Sequence, residues 1–103
     1  MNSTEAQRML YDWHSGKGSA AYAAASSGLV EDMPALLLGI EHAQAICDAS
    51  GNVEELRALT TLAGYVQRSV VGPIEASDGK VYLALPWAKV PALTTQLGDS
   101  NEI

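Results

Sequence analysis

Chemistry needs side chains that can hold a proton, a charge or a metal close to one another. The densest such group in this chain is Asp12-Trp13-His14-Ser15-Gly16-Lys17-Gly18-Ser19, an imidazole, an amine, hydroxyls and a carboxylate along one short glycine-containing stretch. Lys17, Ser19 and the free amides opening a following helix would make an anion cradle, with His14 and Gly18 beside them. Backbone amides and the helix dipole both favour negative charge there. The competing reading is a plain helix-loop-helix connection, in which Trp13 docks into the core and Ser19 caps the next helix. We favour the second, because Gly-Lys-Gly-Ser lacks the preceding strand and the spacing of a phosphate-binding loop.

Elsewhere reactive residues are isolated. His14 and His42 are the two histidines and Cys47 is the single cysteine, so the sequence offers no zinc-like ligand spacing. We therefore expect no metal, no cofactor and no catalytic residue. Cys47 continues an apolar helical stripe, which suits a small core residue better than a nucleophile. Ser26-Ser27-Gly28 lacks the strand and flanking glycine of a hydrolase elbow and reads as a helix terminus.

Carboxylates are more suggestive. Twelve acidic residues stand against six basic ones, for a formal charge of -6, and half of the acids lie at Glu31, Asp32, Glu41, Asp48, Glu54 and Glu55. Glu41 and Asp48 share a helix face, with Gln44 between them. Capping and solvation explain such a set; a negative surface for a basic protein partner is the sharper alternative. Trp87, between Pro86 and Pro91, is either the anchor of such an interface or a lid on the core.

The same charge excludes partners. Duplex nucleic acid and anionic membranes call for clustered cations, whereas Arg8, Lys17, Arg57, Arg68, Lys80 and Lys89 are scattered. A helix pair followed by a β-hairpin could suggest a winged DNA reader, but its groove-facing helix would lead with Val53-Glu54-Glu55 and meet phosphate with negative charge. No apolar run is long enough for a membrane span, and the first residues lack the pattern of a signal peptide. With one cysteine, a cytoplasmic setting is expected.

The elements that must position these residues follow from periodicity. Thr4 with Gln7 reads as a capping box opening a first helix, with Ala6, Met9, Leu10 and Trp13 inward and an end near Gly16. Ser19 and Gly28 bound a second, alanine-rich helix. Asp32 caps a third over about 33–49, with Met33, Leu36, Leu37, Ile40, Ala43 or Gln44, and Cys47 on one stripe. Asn52 with Glu55 caps a fourth over about 53–69, carrying Leu56, Leu59, Leu62 or Ala63, Val66 and Val70. The short turn between the last two demands an antiparallel hairpin. Beyond Gly72-Pro73, Ser77-Asp78-Gly79 predicts a small β-hairpin near 74–85, pairing Ile74 to Ala76 with Val81 to Leu83. One more helical turn or an extended tail over 92–97, and a frayed end at 98–103, complete the expectation.

The expected fold is thus mainly α, one small domain over 1–103 built on the helix hairpin, with two shorter N-terminal helices across it. Sixteen alanines, twelve leucines and no phenylalanine make its core a thin one, for which close helix contacts or a partner surface are the remedies. No run of residues is specific enough to point to a family. The leading expectation is a protein-protein interaction or regulatory module without catalytic activity, binding a protein partner or itself. The alternatives are an acidic inhibitor of a nucleic-acid-handling enzyme's basic groove, and a small-ligand or anion binder using the 14–19 loop.

Overall fold

The computed structural model describes residues 1–89. Four helices, α1 (Ser3–Asp12), α2 (Ala20–Ser27), α3 (Met33–Ser50) and α4 (Val53–Ser69), are joined by three strands, β1 (Leu29–Val30), β2 (Val71–Glu75) and β3 (Val81–Ala84). The chain is mainly helical, and α3 and α4 pack as the expected antiparallel hairpin. Pairing of α1 with α2, α2 with α3 and α1 with α4 closes the helices around one cluster of buried side chains.

Local chemistry sets most boundaries. The Ser19, Asp32 and Asn52 side chains accept hydrogen bonds from the backbone N–H of Tyr22, Ala35 and Glu55, satisfying amides that no helical carbonyl reaches. At the far end of α3, Gly51 takes a left-handed φ of 74° and donates to the Asp48 carbonyl, while the Asn52 amide donates to that of Cys47. This paired arrangement reverses the chain in the space of three residues and starts α4.

Leu36, Ile40, Ala43 and Cys47 of α3 face Leu59, Leu62 and Val66 of α4, all buried. Ala6, Met9 and Leu10 of α1 and Ala21, Ala24 and Ala25 of α2 complete the cluster. The alanines of α2 bring little volume but let backbones approach, which is how a chain without phenylalanine closes its core.

Three expectations need correction. The cap of α1 is Asn2, not Thr4: its Oδ1 accepts from the Glu5 amide at 2.8 Å. The helix also stops at Asp12 rather than near Gly16, where Trp13 takes a non-helical ψ of 11° and the His14 ring bonds the Tyr11 carbonyl. The hairpin is larger than expected. β2 starts at Val71, with a register irregularity between Val71 and Ile74, and β1 pairs with the other edge of β3, giving the order β1-β3-β2 with all neighbours antiparallel. Leu29-Val30 is too short to show an alternating pattern of its own and is a strand because β3 lies beside it. The expectations for 92–97 and 98–103 lie outside the described residues. Among the described residues, no helix is long and apolar enough to cross a membrane.

Candidate functional site

A groove of about 790 Å³ runs between the outer face of α3 and the segment that joins α1 to α2. Its floor and one wall are Ala35, Leu38, Gly39, His42, Ala45 and Ile46; Asp12 to Ser15 and Ser19 to Ala21 form the other wall. Leu38 is 64% exposed and Ile46 49% exposed, and because they lie two turns apart on one face of α3 they form a patch rather than scattered apolar residues. Glu41 and His42 stand among them, so the groove is apolar with a small polar rim.

The 14–19 loop is divided among other tasks. Ser19 spends its oxygen capping α2. His14 bonds the Tyr11 carbonyl and sits 5.3 Å, centroid to centroid, from the Tyr22 ring, which Tyr11 in turn meets edge-on at 6.0 Å. Ser19 lines the α3 groove and also a smaller hollow of about 420 Å³ that includes Gly18, whereas exposed Lys17 lines neither. Folding therefore brings His14 to the same groove as His42 and Glu41, and does not bring Lys17 there.

The acidic residues do not share one face. Because α3 and α4 are antiparallel, Glu31 and Asp32 lie at one end of the hairpin and Glu54 and Glu55 at the other, about 27 Å apart along an 18-residue helix. Several have partners: Glu31 meets Lys80 at 3.3 Å, Asp32 caps α3, and Glu55 accepts from the Trp13 indole at 2.8 Å. Gln44 donates to Thr60 across the helix pair, leaving Glu41, Asp48 and Glu54 as exposed carboxylates. Trp87 is half-buried against the core, and its indole donates to the Ala24 carbonyl at 2.8 Å.

Cys47 is 1% exposed, and burial pushes its thiol pKa up, with the nearby Glu55 charge adding to the effect. The thiolate, the nucleophilic form, is thereby disfavoured. Among the described residues no three His, Cys, Asp or Glu side chains converge on a metal position.

No protein-family model, curated protein or solved structure matches the chain. Its own surface carries the rest. The groove residues that helical periodicity alone does not single out are Leu38, Gly39 and Ile46. Their signal is present in the run Leu36-Leu37-Leu38 and in Ala45-Ile46: consecutive apolar residues wrap around a helix and cannot all face one core.

Proposed function

We propose that this chain is a small acidic protein-interaction module of the cytoplasm, a binder rather than an enzyme, which works through the outer face of α3 and the groove beside it. The observation behind the reading is the exposure of Leu38 and Ile46 on one stripe with Ala35, Gly39 and Ala45. A helix apolar around most of its circumference needs cover on two sides, and within the described residues α3 has cover on one. The residues that could do chemistry fit this reading, since the Cys47 thiol is buried and the Ser19 hydroxyl holds a helix end.

Photo-crosslinking tests it. A photoreactive residue at Ile46 should capture a protein in native cell lysate, while the same group at Thr61, exposed on α4, should not. Capture of nothing at Ile46, or equal capture at both positions, rejects the reading.

A further inference from the structure

We infer that the α3 groove receives a basic amphipathic helix of a partner protein, an inference that rests on the reading of this face as the contact face. Carboxylates border the apolar floor on both sides. Asp12 belongs to the wall that follows α1 and Glu41 to α3, and the lining residues include no lysine or arginine. Around α3, Ala43, buried toward the other helices, and Glu41 fall on opposite edges of the stripe that carries Leu38 and Ile46, so Glu41 stands on the lip away from α1 and α2. Asp48 repeats the position of Glu41 seven residues on, about 10 Å along the axis. Both are exposed, and neither has an ion-pair partner among the described residues. Asp12 meets Arg8 at 3.8 Å, but both side chains are more than half exposed, a loose contact for which a second cation can compete.

The shape selects a helix from the possible basic partners. From Ala35 to Ile46 the groove follows about three turns of α3, and the backbone groups of those turns are already bonded within the helix. An extended strand would find no ladder to join there. A helix brings its own backbone bonds and can enter an apolar groove with none left unpaired. At Gly39 a β-carbon would meet no atom within 4 Å, so a large apolar side chain of the visitor has room to reach the α3 backbone. Lysines or arginines seven apart on the visitor would be spaced about 10 Å, the spacing of Glu41 and Asp48. The net charge of -6 adds to the selection, since it attracts a basic helix and repels an acidic one.

Titration of the full chain with a synthetic helix of about 20 residues tests the inference. The peptide is built of Leu, Ala and Lys, with leucines on one stripe and lysines along its edges. An isomer shuffled to have no stripe, and a version with Glu in place of Lys, serve as comparisons. Trp13 lines the groove and the peptides carry no aromatic residue, so tryptophan emission reports occupancy. The lysine helix should bind at least about tenfold more tightly than either comparison, and should weaken by about tenfold as sodium chloride rises from about 20 mM to about 500 mM. Glu41→Lys combined with Asp48→Lys, both at exposed positions, should keep the circular dichroism spectrum, lose at least about tenfold for the lysine helix and gain affinity for the glutamate one. Glu54→Lys combined with Glu75→Lys changes the net charge equally outside the groove and should do neither. Equal binding of the three peptides, or equal effects of the two double reversals, overturns the inference. Should the lysine helix fail to bind while a photoreactive Ile46 captures a protein through an acidic, uncharged or extended segment, or captures a second copy of this chain, the basic helix is removed and the interaction module stands.

Discussion

The Trp13 indole donates to the Glu55 carboxylate at 2.8 Å across 42 residues of sequence, fastening the end of α1 to the first turn of α4. A full capping box would send the Glu55 side chain back to its own cap, but here the Asn52 oxygen accepts from the Glu55 amide while the Glu55 side chain turns to Trp13. The carboxylate still lies near the positive end of the α4 dipole, so it serves the helix and the tertiary contact together. A double-mutant cycle with Trp13→Phe and Glu55→Ala should show a coupling of about 1 kcal/mol, as expected for a half-exposed charge-assisted hydrogen bond. Additive losses in chemical denaturation would mean that the two residues stabilise the fold independently.

What can be read from the sequence is local. Ser19, Asp32, Asn52, Gly28 and Gly51 act within a few residues of themselves, and Leu36, Ile40, Ala43 and Cys47 follow one helical period, so three helices and their hairpin are legible. What escapes depends on distant chain. Trp13 finds Glu55, β1 exists because β3 returns to it, and Glu31 separates from Glu54 because the hairpin is antiparallel. The outer stripe of α3 is hidden for a related reason: in Leu36-Leu37-Leu38, periodicity cannot show which leucine the other helices leave uncovered.

Gly28 marks where the segment after β3 returns to α2. It has a left-handed φ of 76°, its carbonyl accepts from the Leu85 amide at 2.7 Å, and a β-carbon there would lie 2.6 Å from the Ala88 backbone. No rotamer change can relieve a collision with backbone. Gly28→Ala should therefore cost about 2 to 5 kcal/mol, combining left-handed strain with overpacking. Denaturant midpoints measure the loss, and the fluorescence of Trp87, anchored one turn away on Ala24, should report the displaced segment. A variant as stable as the parent would show that residues 85–88 can shift freely.

Gly39 predicts the opposite sign. It lies inside α3 with open space around it, so a methyl group there removes backbone freedom from the unfolded chain without touching a neighbour. Gly39→Ala should stabilise the monomer by roughly 0.5 to 1 kcal/mol, raising the melting temperature by a few degrees. A fall in melting temperature at dilute concentration would mean that α3 needs the glycine for its own geometry.

The β2–β3 turn has a pH signature. One oxygen of Asp78 accepts from the Lys80 amide at 2.9 Å and the other from the Tyr82 hydroxyl at 2.7 Å. The Tyr82 bond, followed by the Lys80 amide, lowers the Asp78 pKa, and the same Asp78 bond, with desolvation, pushes Tyr82 up to about 12. A lowered carboxylate stabilises the fold above its unfolded pKa, and that contribution is lost as pH falls through the folded value. A raised phenol stabilises below its unfolded pKa, and its contribution disappears as pH climbs through about 12. Ultraviolet titration should thus find one tyrosine ionising late, and Asp78→Asn, which removes the charge but keeps an acceptor, should move it back toward the ordinary range. A late phenol that survives in Asp78→Asn would assign the shift to desolvation instead.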